Sequence, residues 1–215
     1  MHLPVACVTA LAALGLSAAT GAEPEFTPLF DGHSLSGWVG ETDAYEVIDG
    51  VLASKPDAAG KIYTKDEYDN FVLRLEFKLT AGANNGVALR APGKGDPAYD
   101  AMECQVLDNT AEVYKDLKDY QYHGSIYGVA PAKRGLLKPV GEWNREEIRC
   151  QGTHVKVTLN GEVIVDVDLE KAAPDGKTID GKQHPGLFRE SGRIGLLGHG
   201  ARVYFRNLEV YRLSE

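Results

Sequence analysis

A strict alternation of apolar and charged residues is the feature that most constrains how this chain folds. From Phe71 to Leu79 every odd-numbered position is Phe or Leu, whereas Arg74, Glu76 and Lys78 occupy three of the four even-numbered positions. Because side chains on a β-strand point alternately to the two faces of a sheet, this spacing predicts a strand with one face in a core and the other in water. The chain must therefore bury at least one face of a β-sheet.

Turn signals between other alternating runs predict that neighbouring strands pair as hairpins. Asp49-Gly50 and Asn160-Gly161 each separate two such runs, and these dipeptides favour tight turns because both residues tolerate positive φ. A single helical turn is expected over residues 168–173. Strands are expected at residues 45–48, 51–52, 71–79, 148–150, 155–159, 163–167, 193–197 and 202–212. Short strands, regular turns and scarce helical periodicity predict an all-β fold, a β-sandwich of jelly-roll type.

The first 22 residues have the pattern of a signal peptide. Residues 11–19 form a short apolar run that ends in small residues, and the sequence turns acidic at Glu23. The run is far shorter than the roughly 20 apolar residues that span a bilayer. We therefore predict a signal peptide at 1–22, a secreted or periplasmic location, no membrane span, and one domain at 23–215.

Charge and missing motifs exclude several classes of function. The formal net charge of −8 argues against nucleic acid and anionic membrane surfaces as partners. Cys104 and Cys150 lie in strand-like runs, so buried free thiols are favoured over a disulfide. The sequence has no G-x-S-x-G elbow, Gly-rich phosphate loop, H-E-x-x-H motif or Rossmann fingerprint. Serine-hydrolase, nucleotide-binding and zinc-protease chemistries are therefore not expected.

Residues 84–90 carry a cation on the face opposite a predicted core. If Val87 and Leu89 point inward, Gly86, Ala88 and Arg90 share the outer face. Two small residues beside Arg90 leave room for a ligand rich in oxygen acceptors, unless this Arg is an ordinary surface residue.

Residues 102–108 alternate in the same way. The pattern places Glu103 and Gln105 side by side on an outer face, with Cys104 on the core face. The two polar side chains suit hydrogen bonds to sugar hydroxyls or proton transfer, unless the face is simply solvated. Asp108, where the strand ends, is either a ligand or the cap of a turn.

A histidine between glycines and a long loop add further candidates. His199 lies between Gly198 and Gly200, so little bulk separates its imidazole from a ligand, and His exchanges protons readily near neutral pH. The loop at 109–142, with a short strand expected at 125–127, is long enough to suggest a function. Its aromatic residues suit sugar rings and include Tyr120, Tyr122 and Tyr127, with His123 beside them. Trp38 and Trp143 are expected in the core.

Eight short motifs follow one another in an order found in a known family. They are Leu29-Phe30-Asp31-Gly32 with Leu35 to Trp38, Asn85-Gly86-Val87 to Arg90, Glu103 to Asp108, Tyr127-Gly128, Lys138 to Asn144, Asn160-Gly161, His199-Gly200 and Phe205-Arg206-Asn207. In this order the chain resembles the 3-keto-disaccharide hydrolase family, formerly a domain of unknown function, over nearly all of residues 23–215. The resemblance implies a concanavalin A-like lectin/glucanase sandwich and a secreted or periplasmic protein that acts on glycosides oxidised at C3.

The chemistry implied by this resemblance gives the candidate residues roles. A ketone at C3 acidifies the C2 proton, so a base, an acid and a donor to the enolate oxygen suffice for elimination at C1/C2 and hydration. Glu103 and His199 would share the acid and base roles, in either order, and Arg90 would bind the oxyanion. Substrate contacts are expected from Asn85, Gln105, Asp108, His123, Tyr127 and Lys138. A divalent metal held by Glu103, His123 or His199 is an alternative electrophile.

Two other functions fit the same residues. The outer face would also serve a non-catalytic, lectin-like carbohydrate-binding domain, and a conventional glycosidase is a further alternative. Glu103 is the only acid on its predicted face in its segment, so a mechanism with two carboxylates lacks an evident second member. The favoured hypothesis is an enzyme that cleaves 3-keto-glycosides.

Overall fold

The structure, a computed structural model, describes residues 25–214 and consists of two antiparallel sheets packed face to face. This arrangement confirms the predicted all-β sandwich. The predicted signal peptide at 1–22 lies outside the described residues. Among the residues that are described, no helix combines the length and the apolar character needed to cross a membrane.

Thirteen strands and two short α-helices make up the described fold. The strands are β1 (Thr27–Pro28), β2 (Trp38–Gly40), β3 (Tyr45–Ile48), β4 (Val51–Ser54), β5 (Lys61–Tyr68), β6 (Phe71–Leu79), β7 (Asn84–Ala91), β8 (Met102–Leu107), β9 (Trp143–Gln151), β10 (His154–Leu159), β11 (Glu162–Asp168), β12 (Gly192–Leu197) and β13 (Val203–Arg212). The helices are α1 (Pro97–Asp100) and α2 (Leu169–Ala172), and short 3₁₀ turns lie at Thr42–Ala44, Glu112–Tyr114, Asp119–Gln121 and Pro174–Gly176. Helix α2 confirms the helical turn that the sequence predicts over 168–173.

The strands form an eight-stranded sheet and a five-stranded sheet. The larger sheet has the order β11-β10-β9-β6-β13-β4-β3, with β1 paired to β13. The smaller sheet has the order β2-β5-β12-β7-β8. Strands distant in the chain, such as β5 and β12, are neighbours in space, so the smaller sheet brings chain segments more than 100 residues apart onto one surface.

The core lies between the two sheets, and β6 is its centre. All five odd-numbered side chains of Phe71–Leu79 are buried, as the alternation predicts. The smaller sheet packs against them with Ile62, Val87, Leu89, Met102, Cys104, Val106, Ile194 and Leu196. Burial of one Phe or Leu side chain stabilises a fold by about 1.5–3 kcal/mol, so β6 makes a large contribution to stability.

Both predicted hairpins are confirmed. Asp49 and Gly50 have φ values of 50° and 77° between β3 and β4, and Asn160 and Gly161 have 52° and 93° between β10 and β11. These left-handed conformations are the ones that Asx-Gly turns provide at low energetic cost. Cys104 and Cys150 are buried free thiols.

Two local expectations are wrong. Residues 125–127 do not form a strand, because glycines at 124 and 128 with positive φ bend the chain on both sides and leave only isolated bridges at Ile126. Trp38 is buried in the core as predicted, but Trp143 is partly exposed on the outer face of the larger sheet. The guanidinium of Arg206 lies 4.0 Å above its ring, and this cation–π contact stabilises the indole on the outer face.

Arg90 departs from the alternation of its strand. Its φ of 55° turns the side chain away from the face that Gly86 and Ala88 share. The guanidinium is buried at one end of the sandwich, where it donates to the carbonyl oxygens of Asp69, Gly152 and Arg189 and, at 3.3 Å, to Asn70 Oδ1. These bonds link three connecting segments of the chain: the one between β5 and β6, the one between β9 and β10, and the one that precedes β12. Arg90 therefore has a structural role and is not the predicted oxyanion contact.

Arg90→Met should destabilise the fold, because it removes charge-assisted hydrogen bonds and leaves carbonyl groups without donors. We expect the free energy of unfolding in urea to fall by about 3 kcal/mol. Arg149→Met is the control, since Arg149 is partly exposed and bonds only to nearby Gln151. Equal stability of the two variants would contradict the structural role.

Candidate active site

Small residues leave the outer face of the five-stranded sheet open at its centre. Across this face the ladder sets Tyr63 opposite Gly195, Gly195 opposite Ala88, and Ala88 opposite Glu103. Gly195 has no side chain, so the ring of Tyr63 lies directly over it. The phenol of Tyr63 and the carboxyl of Glu103 therefore lie at the two ends of a row whose middle positions carry almost no side-chain bulk.

A second row on the same face carries a cation. Lys61 pairs with Leu197, and Gly86 pairs with Gln105 on the adjoining strands. Because alternate positions of a strand share a face, Lys61 lies on the same side of the sheet as Tyr63, and Gln105 on the same side as Glu103. The register thus brings an ammonium, an amide and a carboxyl to one surface.

The carboxyl of Glu103 folds over the backbone of Gly86. A Cβ atom at position 86 would overlap Oε1 of Glu103 and lie 2.8 Å from its Cδ. Gly86 is not in the left-handed region, so glycine is needed here for space and not for backbone conformation. The absent side chain at 86 therefore sets the position of the acid.

Burial changes the acidity of Glu103. The residue is 6% exposed, and burial raises the pKa of its carboxyl to about 8, an effect that the nearby Asp96 increases and Lys61 opposes. At neutral pH most molecules therefore hold a protonated Glu103. A protonated carboxyl can donate a proton to a leaving oxygen.

His199 lies beyond the end of β12 at the rim of the same surface. His199 is exposed at this rim, yet partial desolvation by the neighbouring residues lowers the pKa of its imidazole, and the Lys61 ammonium acts in the same direction while Asp96 opposes it. A lowered pKa favours the neutral imidazole near pH 7, which can accept a proton. The pKa values of Glu103 and His199 are thus shifted in opposite directions. Near neutral pH the shift of Glu103 favours a proton donor, and that of His199 favours a proton acceptor.

A cavity of about 230 Å³ lies above this surface. Helix α1 and the loop at 109–128 form its walls. Its lining consists of Asn84, Asp96, Ala98, Tyr99, Glu103, Gln105, Leu107, Tyr114, Leu117, Gln121, Tyr127 and His199. Such a volume is below the range of about 300–1,000 Å³ for sites that enclose drug-sized ligands, so it suits one small polar molecule.

Unsatisfied acceptors in the wall point to a ligand with hydroxyl groups. Oε1 of Gln105 and Oδ1 of Asn84 are buried and have no hydrogen-bond donor among the described residues. Leaving a buried acceptor without a donor costs about 1–3 kcal/mol. A ligand hydroxyl would remove this cost at each oxygen.

Hydrogen bonds hold the loop wall in place. Nε2 of Gln105 donates to the carbonyl oxygen of Gln121 at 3.4 Å, and Nε2 of Gln121 donates to Oη of Tyr127 at 2.9 Å. The amide of Gln105 therefore fixes the loop with its nitrogen, while its buried oxygen is left without a donor among the described residues.

Four of the residues predicted for the site line this cavity: Glu103, Gln105, Tyr127 and His199. Asn85 lies one position from the face, and its Oδ1 accepts from the backbone N–H groups of Gly86 and Leu197 between the sheets. Because odd and even positions alternate, a residue next to Gly86 points inward. Asn85 is therefore a structural residue and not a substrate contact.

Asp108, His123 and Lys138 are also wrong as direct contacts. Asp108 caps a turn by accepting from the backbone of Gly82 and Thr110. The Nζ of Lys138 donates to a carbonyl oxygen on the larger sheet, away from the cavity. Asp108 lies just after the end of β8, and His123 and Lys138 lie in the long loop that follows. The sequence pattern does not specify where side chains point in such segments.

His123 lies inside the sandwich, not in the cavity. Its ring centroid is 4.9 Å from that of Phe77, and its Nε2 is 3.0 Å from Oε2 of the buried Glu146. The backbone of the loop passes the edge of β8 and turns the imidazole inward. The suggested metal ligands Glu103, His123 and His199 are therefore not together, and among residues 25–214 no group of three His, Cys, Asp or Glu side chains is arranged to hold a metal.

Two charged residues near Glu103, Asp96 and Lys61, are not marked by any pattern in the sequence. Asp96 caps helix α1, accepting from the backbone of Ala98 at 3.2 Å, and it brings a second carboxylate to the cavity. Lys61, and not Arg90, brings a positive charge close to Glu103 and His199. The position of Lys61 follows only from the β5–β12 register, and that of Asp96 only from the path of the loop after β7.

Comparisons with known proteins identify the family of the chain. The family model described as "3-keto-alpha-glucoside-1,2-lyase-like domain" matches residues 25–211. A curated 3-keto-disaccharide hydrolase from Bacteroides thetaiotaomicron is 26% identical, over 86% of this chain and 77% of that protein.

Solved structures extend the comparison to the fold. A proposed glycosyl hydrolase from Parabacteroides distasonis is 34% identical with a TM-score of 0.77, covering 88% of this chain and all of the other. A galectin-like protein from Bacillus subtilis, 13% identical with a TM-score of 0.58 over 87% of this chain and 94% of its own, shares the fold alone. The sandwich is therefore the predicted jelly roll of concanavalin A-like lectin/glucanase type, and the chain belongs to the family of 3-keto-α-glucoside-1,2-lyase-like domains.

Proposed function

We propose that this protein cleaves the glycosidic bond of 3-keto-glycosides by elimination across C1 and C2, followed by hydration. The observation that carries the proposal is the presence of Glu103 and His199 in one sugar-sized cavity together with unsatisfied acceptors. The family, and the name of the Bacteroides relative, support a substrate oxidised at C3.

The chemistry of such a substrate needs one base and one acid. The C3 ketone acidifies the C2–H bond, and a base takes that proton. The electron pair forms the C1=C2 double bond as the C1–O bond breaks, and the leaving oxygen takes a proton from the acid. Water then adds at C1 while C2 regains a proton, so the overall result is hydrolysis.

His199 is suited to be the base and Glu103 the acid. Near neutral pH the imidazole is mostly neutral and the carboxyl mostly protonated, which are the starting states that these roles require. The charge of Lys61 acts on both groups, and its ammonium would stabilise the oxyanion that develops at C3. No carboxylate nucleophile is needed.

The remaining wall residues would recognise the sugar. Gln105 Oε1 and Asn84 Oδ1 would accept from ring hydroxyls, and the partly buried ring of Tyr127 would contact the apolar face of a pyranose. We also propose that the protein acts after export, on the strength of the apolar run and small residues at 11–22.

A conventional glycosidase is the second candidate, because Asp96 places another carboxylate in the cavity with Glu103. Two carboxyl groups on either side of a glycosidic bond are the usual requirement for that reaction. The capping bond that Asp96 accepts from the N–H of Ala98 favours a structural role instead.

Glu103→Gln should abolish most cleavage of a 3-keto-glucoside, since glutamine fills the same space but cannot give up a proton. We expect kcat/KM to fall by about 100-fold or more. The wild-type protein should release sugar from the 3-keto-glucoside and not from its unoxidised parent. Release is followed by chromatography.

The control is Glu147→Gln, which changes a carboxylate on the larger sheet that pairs with Arg74. Its activity should match that of the wild type. Equal release from the unoxidised parent would favour the conventional glycosidase, and binding of the sugar without release from either compound would favour a lectin-like domain.

Gly86→Ala should lower activity without unfolding the protein. The new methyl group would displace the Glu103 carboxyl, so we expect kcat to fall by about 10-fold or more, as misplacement of a reacting group does. The control is Gly37→Ala, where a Cβ meets only one carbonyl oxygen, at 3.4 Å. Full activity of Gly86→Ala with an unchanged melting temperature would show that the Glu103 position is not critical.

A further inference from the structure

The segment at 178–186, here called the clamp loop, lies between α2 and β12 and contacts both walls of the cavity. The N–H of Gly186 donates to the carbonyl oxygen of Tyr99 at 2.8 Å. The N–H of Asp180 donates to the carbonyl oxygen of Gly128, next to Tyr127, at 3.3 Å. The clamp loop therefore joins the α1 wall to the wall formed by the 109–128 loop.

A buried acid–imidazole pair stiffens the clamp loop. Nε2 of His184 lies 3.1 Å from Oδ2 of Asp180, and both side chains are almost fully buried. Oδ1 of Asp180 also accepts from Oγ1 of Thr178 at 2.7 Å and from the N–H of Lys182 at 3.0 Å. Three groups of one short segment, from Thr178, Lys182 and His184, are thus held by a single carboxylate.

Two glycines allow the clamp loop to approach the walls closely. A Cβ at Gly128 would lie 2.6 Å from Oδ2 of Asp180, and one at Gly186 would overlap the carbonyl group of Asp100. The ring of His184 meets that of Tyr99 edge-on, with 4.9 Å between centroids. Tyr99, which lines the cavity, is therefore held from behind by the clamp loop.

Lys182 extends this contact to the solvent side. The residue is exposed, and its Nζ donates to Oη of Tyr99 at 2.6 Å. An ammonium and a phenol thus stand together at the cavity mouth, where both can bond to hydroxyl groups outside. Neither side chain has a part in the proton transfers assigned to Glu103 and His199.

We propose that the clamp loop forms the leaving-group subsite, in which Lys182 and Tyr99 bind a hydroxylated leaving group such as a second sugar. This inference rests on the proposed function. A cavity of about 230 Å³ suits one sugar ring, so the group attached to C1 must lie at the mouth. The pair of Asp180 and His184 acts through Tyr99 and is a positioning pair.

The test compares two substrates with the same 3-keto ring, a 3-keto-disaccharide and the methyl 3-keto-glucoside, which has almost no leaving group to bind. Lys182→Met should raise KM for the disaccharide by about 10-fold, the equivalent of one lost charged hydrogen bond. Its kcat/KM for the methyl compound should stay within about twofold of the wild type. Lys177→Met, at an exposed lysine just outside the clamp loop, should change neither.

His184→Ala should give the same pattern as Lys182→Met, a higher KM for the disaccharide with kcat for the methyl compound retained. Equal losses on both substrates, or an unchanged KM for the disaccharide in Lys182→Met, would overturn the inference while leaving the proposed function intact. A wild-type protein that cleaves neither compound would instead overturn the proposed function, and the subsite with it.

Discussion

The desolvated carboxyl of Glu103 is the constraint on which the rest of the site depends. Its neighbours on β8, Met102 and Cys104, are locked in the core, so the two-residue period of the strand holds Glu103 on the outer face. Gly86 gives the carboxyl its space, and the covering loop keeps water from it. The raised pKa follows from this enclosure, and the proposed acid role rests on the raised pKa.

The same enclosure links the site to folding stability. The folded protein keeps the proton of Glu103 up to about pH 8, whereas an unfolded chain releases it near the ordinary pKa of 4.5. The stability contribution is therefore complete below pH 4.5 and is lost as the pH rises through 8, because ionisation favours the unfolded chain. The burial that raises the pKa of Glu103 thus reduces stability at neutral pH, and the core around β6 offsets that loss.

Much of the fold, and part of the site, could be predicted from the sequence. Alternation and Asx-Gly turns identify strands and hairpins because both are local properties, and they place Glu103 and Gln105 correctly. Arg90 is an exception to the alternation of its strand, because its own positive φ redirects its side chain. Lys61 and Asp96 could not be found, because their proximity to Glu103 depends on strand register and loop path across the whole sandwich.

The most direct test of this account is the pKa of Glu103, measured by ¹³C NMR of protein labelled at the glutamate carboxyl carbons. The account predicts one resonance with a midpoint near pH 8 that is absent from Glu103→Gln. Titration of every glutamate below about pH 5, the range of ordinary exposed carboxyls, would contradict it.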